Sequence, residues 1–365
     1  MKARFIVLFL VSLLSLRCTS PVTGQSFSIV RPPVETVNRH YSSMPKARIP
    51  QNAYALVNAL PKGYSQNGDV DYTSYIQNAL NTHRIVIFPN FTLLIGRQGL
   101  KIPSNTSLYF QAKSLIRFSG PAQGKGSDIL KVFDVSNVAI YDARIEGSKL
   151  RNVIQSGEWS AGIALRNSRN ITINNPYIYN TFGDGIFVGS EEGKVSYNVK
   201  IQGGWIDNAR RNGISITSAE NLTIEGVLIS NTNGTMPQCG IDIEPSLSSE
   251  EIKAVVINNV TTFNNATGGF AINLNTFTEP NLKIPKSVSI TVNNLTDYQS
   301  DHFLVFSLNP KNRTMSAIGK IQLNNCIGYD NKAPVWSDPN KHKIELDLKA
   351  VKYRPKGIAQ MKEIR

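Results

Sequence analysis

Residues 211–225 read RNGISITSAENLTIE, and this short stretch decides the architecture. It holds two pieces, Gly213-Ile-Ser-Ile-Thr217 and Asn221-Leu-Thr-Ile-Glu225, in which apolar and polar residues alternate. Period two is the strand signature, and neither piece continues into a helical period. Both recur. The first returns at Gly162-Ile163-Ala164-Leu165-Arg166, Gly185-Ile186-Phe187-Val188-Gly189, Gly240-Ile241-Asp242-Ile243-Glu244 and Gly269-Phe270-Ala271-Ile272-Asn273. Its glycines are 23, 28, 27 and 29 residues apart. The second returns at Asn170-Ile-Thr-Ile-Asn, Asn198-Val-Lys-Ile-Gln and Val255-Val-Ile-Asn-Asn, with similar strings at Asn137, Val288 and Lys320. Short strands at such a period, parted by Asn, Gly and Ser turns, predict a solenoid whose coils stack strand on strand. A βαβ fold would need helices between the strands. The recurring Asn residues suit left-handed turn positions and side-chain ladders, so the N-x-S/T strings at Asn90, Asn105, Asn221, Asn259 and Asn294 need no glycan to explain them.

Outward from the repeats, four segments are expected. Residues 1–24 read as a signal peptide, with Lys2 and Arg4 before the apolar run Phe5 to Leu16 and a small-residue cleavage site at Val22-Thr23-Gly24. Lipidation at Cys18 is the competing reading, and Arg17 argues against it. A secreted or periplasmic location follows, and no segment is long enough to span a bilayer. Residues 25–64, with Pro32, Pro33, Pro45 and Pro50, form an extended leader. Residues 65–331 form the coil domain, opened by a capping helix over Asp71 to Asn81 and the strand Ile85 to Pro89. Residues 332–365 are a basic C-terminal tail or cap. Removal of the signal peptide leaves Cys239 and Cys326, which is neither a disulfide framework nor a zinc pattern. The net charge of +13 is spread along the chain without a basic tract. That speaks against nucleic acid and favours a polyanionic partner such as an acidic polysaccharide. The oligomeric state is left open.

In each Gly-Ile block the two apolar positions point inward, so the intervening residues form one external face. On it Asp242 and Glu244 are neighbours on one strand, roughly 7 Å apart. That approaches the acid–base separation of inverting glycosidases, about 6.5–9.5 Å, with a water between. Asp184 precedes Gly185 two coils away, and Arg210 and Arg211 precede the intervening coil. Glu158 and Trp159 lie in a loop before the Gly162 block. With Arg166 and Arg210 they are candidate substrate contacts, Trp159 by stacking on a sugar or else by covering the core edge. His40, His83, His302 and His342 lie outside the aligned coils, so a histidine base has little support.

The entry segment DYTSYIQNAL, the strand IVIFP and the following LLIGRQGLKIPSNTSLYF, together with GISITS and NLTIEG, resemble the pectate-lyase superfamily of right-handed parallel β-helices. The resemblance covers roughly residues 65–330. It implies an all-β fold: a single-stranded right-handed parallel β-helix with an N-terminal capping helix. The architecture serves polysaccharide lyases, polygalacturonase-type glycoside hydrolases, epimerases and phage tailspikes alike. RRNGISITS is similar to the G-H-G-x-S-x-G-S string of polygalacturonase-type hydrolases, but Asn212 stands where their histidine would be. Asp242-Ile243-Glu244 replaces their R-I-K, and only Asp184 is comparable to their paired aspartates. Three readings follow. The first is hydrolysis of a glycosidic bond, with Asp242 and Glu244 as acid and base. The second is metal-assisted β-elimination, with Arg211 as base and calcium on Asp184, Asp242 and Glu244 through hard oxygen ligands. The third is a non-catalytic glycan-binding solenoid.

Overall fold

The computed structural model describes residues 27–120, 127–152, 156–191, 193–277, 285–309, 317–338, 340 and 342–364. The expected signal peptide and Cys18 lie outside these residues. The chain winds as a parallel β-helix with three sheets. The first runs from Tyr54–Ala55 to Lys343–Lys349, the second from Asn67–Asp71 to Lys362–Glu363, and the third from Leu100–Lys101 to Ala333–Ser337. Each coil contributes one strand to each sheet. The pairings described are parallel except that of Lys352–Pro355 with Lys362–Glu363. The Asn blocks build the first sheet and the Gly-Ile blocks build the third.

The repeat exists because inward side chains stack on their own equivalents. Ile140, Ile173, Ile201, Ile224 and Ile257 occupy one register from coil to coil and are fully buried. Each such side chain contributes about 1.5–3 kcal/mol by leaving water. The glycine of each Gly-Ile block is required by crowding. A Cβ on Gly213 would lie 2.1 Å from Ile229 Cγ2 and 2.5 Å from the Gly240 carbonyl oxygen, and Gly185 is confined in the same way. The asparagines supply the outer stitching. Asn105, Asn137, Asn170, Asn198 and Asn221 all have φ between 55° and 60°. Each later one donates its amide to the one before, at 2.8–3.1 Å.

The helix Thr73–Thr82 covers the first coil with buried Ile76, Ala79 and Leu80. At the other end the coil pattern runs past the boundary expected at Asn331. Ala333–Ser337, Lys343–Lys349 and Lys352–Pro355 each extend one of the three sheets by a further strand. In KIELDLK the inward Ile344, Leu346 and Leu348 alternate with charged outward residues, and that surface charge hides the strand period.

The leader is extended for most of its length but carries a helical turn, Val34–Val37, and a π-helical turn, Asn38–Ser42. It runs lengthwise over the outside of the second sheet. Asn264 Nδ2 donates to the Ser28 carbonyl at 3.0 Å, and Asn231 exchanges two hydrogen bonds with the Val30 backbone. His40 is buried between the Gly226 carbonyl (2.8 Å) and Thr261 Oγ1 (2.9 Å), and burial lowers its pKa. Tyr41 packs on Tyr177, and Lys46 pairs with Asp142 at 2.9 Å.

One carboxyl points into the solenoid. Asp297 accepts hydrogen bonds from Thr262, Ser300 and Asn331, yet its complete burial outweighs them and raises its pKa to about 7. The folded state therefore keeps this proton where the unfolded chain, with a pKa near 3.8, has released it. The stabilisation is fully present below pH 3.8 and is lost as pH rises towards 7. Asp297→Asn is expected to remove up to about 4 kcal/mol of that pH dependence. Denaturant titrations at pH 4 and pH 8 check it, and equal pH dependence in both proteins would count against it.

Candidate active site

The third sheet turns one face outward, yet outward residues on it such as Ala164, Ser215 and Asp242 are buried. Asp242 is only 2% exposed, although outward positions of a bare sheet would be solvated.

Arg211 is the hub. Its Nη1 lies 3.3 Å from Asp184 Oδ2 and donates to Ser215 Oγ at 3.1 Å. Its Nε is 3.4 Å from Glu158 Oε2, and its Nη2 is 3.8 Å from Glu244 Oε2. Asn212 completes the arrangement. Its backbone N–H donates to Asp184 Oδ1 at 3.0 Å, and its Nδ2 donates to Ser215 Oγ (3.0 Å) and Asp242 Oδ2 (3.1 Å). Its Oδ1 accepts from the Cys239 N–H at 2.9 Å. Asn273 donates to Glu244 Oε1 at 2.7 Å from the next coil.

These contacts set the charges. Burial raises the Asp184 pKa, with Arg211 and the Asn212 N–H opposing. Burial, and next the Glu244 carboxylate, push Asp242 well above the ordinary carboxylate range. Asp242 and Glu244 interact directly through their carboxyl groups. The expectation of a water held between them is therefore corrected. Their backbones sit about 7 Å apart, but both side chains lean together. Burial and the neighbouring carboxylate thus favour the protonated form of Asp242.

Two further expectations change. Burial alone lowers the Arg211 pKa, but Asp184, Asp242, Glu158 and Glu244 together raise it above its ordinary value. Four carboxylates thus favour the charged guanidinium, which weighs against Arg211 as the base of an elimination. Nor do Asp184, Asp242 and Glu244 converge as a calcium cage, because Arg211 and Asn212 stand between Asp184 and the other two. No group of three metal-ligating side chains forms among the described residues.

The remaining candidates are placed as follows. Glu158 joins the cluster through Arg211, and Trp159 beside it is 37% exposed. Their loop lies against Gly183, where a Cβ would come 2.4 Å from the Trp159 carbonyl oxygen. Arg210 turns towards the loop of Glu158, whose charge acts on it. It is buried over the Phe182 ring at 4.3 Å and donates to the Gly157 carbonyl at 2.6 Å, so it fixes the loop that carries Glu158. Arg166 lies on the outward face of the third sheet three rungs below Glu244, about 14 Å away.

The sequence profile of the right-handed β-helix region matches residues 90–248 and again 141–297. The chain belongs to this right-handed β-helix family. Among curated proteins, this β-helix chain is 27% identical over 221 residues to the uncharacterized protein YclG of Bacillus subtilis (strain 168), covering 52% of the chain and 38% of the relative. It is also 27% identical over 164 residues to the SPbeta prophage-derived uncharacterized protein YorA of the same organism, covering 40% and 28%. It thus spans well under half the length of these relatives.

Among solved structures, a double mutant of the tailspike protein of E. coli bacteriophage HK620, in complex with pentasaccharide, superposes with a TM-score of 0.65 at 13% identity, covering 82% of this chain and 57% of the tailspike. The polygalacturonase of Erwinia carotovora ssp. carotovora gives 0.55 at 17%, with 88% and 98% covered. The endo-xylogalacturonan hydrolase of Aspergillus tubingensis gives 0.57 at 15%, with 80% and 92% covered. At such identities these likenesses show the shared fold.

Within this β-helix protein, the functional part that sequence reading missed is Asn212. It appeared there only as a departure from a histidine. Its position immediately before the block glycine was the available signal, since that position on successive coils holds Asp184, Asn212 and Cys239.

Proposed function

We propose that this protein is a secreted hydrolase that cleaves glycosidic bonds in an acidic polysaccharide. The observation that carries this reading is the Asp242–Glu244 pair on the outward face of the third sheet, beside the Arg211 guanidinium that also reaches Asp184 and Glu158. Burial that favours the protonated form of Asp242 suits general-acid departure of a sugar oxygen. Glu244 is the more accessible member, and Asn273 and Arg211 hold its orientation. In this reading it relays the proton held by Asp242 to the leaving oxygen. Glu158, on the far side of the same guanidinium, is the carboxylate free to orient a water. Arg211 stabilises the negative charge left on the pair when the proton departs. The net positive charge of the chain favours an anionic polymer over a neutral one.

A screen of acidic polysaccharides, with and without chelator, tests this. New reducing ends without ultraviolet-absorbing unsaturated products, unaffected by chelator, are expected. Unsaturated products would replace hydrolysis with elimination. Retention of a glycan without turnover would make the protein a binding solenoid.

A further inference from the structure

Below the acid pair the same outward face carries a second cluster that the chemistry above does not use. In register along the third sheet, one outward column reads Lys131, Ala164, Phe187, Ser215, Asp242, and its neighbour reads Phe133, Arg166, Gly189, Thr217, Glu244. The cationic end of these columns lies three to four rungs from the acids, about 14–19 Å at ~4.8 Å per rung.

Lys131 is 8% exposed and, among the described residues, makes no hydrogen bond and no ion pair. Burial lowers its pKa, with Asp128 opposing and Lys101 in the same column adding to the effect. Its stem is packed away while its ammonium is open to solvent, and so to an arriving anion. Arg166 lies diagonally above it. Its guanidinium is held over the rings of Phe187 (4.4 Å) and Phe133 (5.3 Å). Its carboxylate neighbours, Asp128 Oδ2 at 3.6 Å and Glu191 Oε1 at 3.7 Å, are ion pairs beyond hydrogen-bond length. Asp128 spends its other oxygen on the Ala161 N–H at 2.9 Å. With Lys101, three cations face two carboxylates here. The Phe187 ring, partly exposed, offers an apolar face beside the cations.

We propose that Lys131 and Arg166 form an anion subsite that takes the acidic group of a sugar three to four residues from the cleaved bond, with Phe187 against its ring. The inference rests on the reading of this face as a polysaccharide site, and it makes the substrate a chain that carries an acidic group at that distance from the cleaved bond. Guanidinium and ammonium together match a carboxylate through charge-assisted hydrogen bonds.

Affinity gels containing polygalacturonate, alginate or neutral hydroxyethylcellulose test it, using the intact protein, Lys131→Gln, Arg166→Gln, Lys131→Arg and Asp242→Asn. The parent and Asp242→Asn should be retained by at least one acidic polymer and not by the neutral one. Each Gln variant should weaken that retention roughly tenfold, and Lys131→Arg should keep most of it. Retention should fall as salt is raised. The inference is overturned if the Gln variants, melting like the parent, are retained as the parent is, or if the neutral polymer retains the parent equally well. Turnover separates the two readings. Hydrolysis that ignores both Gln variants removes the subsite alone. Retention that depends on Lys131 and Arg166 without any hydrolysis removes the catalytic reading alone.

Discussion

Asp242→Asn and Glu244→Gln should each lower turnover of the polymer identified in the substrate screen about 10³-fold, within the 10²–10⁴ range for loss of a positioned acid or base. Both changes preserve shape. Asn at 242 can still accept the Asn212 amide, and it removes a buried acid that burial already disfavours in its charged form. Folding stability should therefore hold or rise while activity falls. The pH profile adds a sharper check. The Asp242 pKa is raised by burial and then by the Glu244 charge, so Glu244→Gln removes one of the two causes. Its residual activity should lose the protonated acid at lower pH than the parent, moving the alkaline limb downwards. An unmoved limb would show that Glu244 does not influence the Asp242 proton. Near-parent turnover in Asp242→Asn would discard the proposed acid altogether.

The second large effect is on stability. Arg211→Met should destabilise the protein by about 3–5 kcal/mol, the cost of breaking a buried pair from one side. Asp184 is 4% exposed and would keep only the Asn212 N–H and Ser215 to balance its charge. Its pKa, already raised by burial with Arg211 opposing, would rise further without the guanidinium. The loss should therefore be greater at pH 8 than at pH 5, where protonation relieves the uncompensated charge. Adding Asp184→Asn to Arg211→Met should recover part of the loss, because the two residues act as a pair. Urea midpoints at both pH values, with unchanged slope, measure this. A loss below about 1 kcal/mol would place Arg211 among ordinary surface ion pairs.

The solenoid was legible because its rule is local. Alternation inside five residues, and a glycine that a neighbouring carbonyl forbids from carrying Cβ, recur on every coil where Gly185, Gly213 and Gly240 stand. The outward placement of Asp242 and Glu244 followed from the same alternation. What was not legible depends on side-chain direction and on loops without a period. The carboxyls lean together although their backbones are spaced for a gap. Arg210 and Arg211 are adjacent in sequence, but one turns to the Gly157 carbonyl and the other to four acids. The cover over this face includes loops without a period, such as the one that brings Glu158 to Arg211, so nothing in the strand pattern foretold that Asp242 would be buried. Lys131 escaped for a different reason: it lies in Leu130–Phe133, a coil strand without the Gly-Ile block.

The strap of residues 28–47 has a consequence for how the molecule assembles. A solenoid in which each coil meets only its neighbours could add rungs in the order in which they are made. Here the earliest described part of the chain finds its anchors 201 residues onward at Asn231 and 236 residues onward at Asn264. It must wait, undocked, until the middle coils have closed, and contacts this distant in sequence slow folding. Once fastened, it works as a latch. His40 joins the Gly226 turn to Thr261 on the next coil and Lys46 reaches Asp142, so release of the strap would loosen the stack of coils from which the acids project.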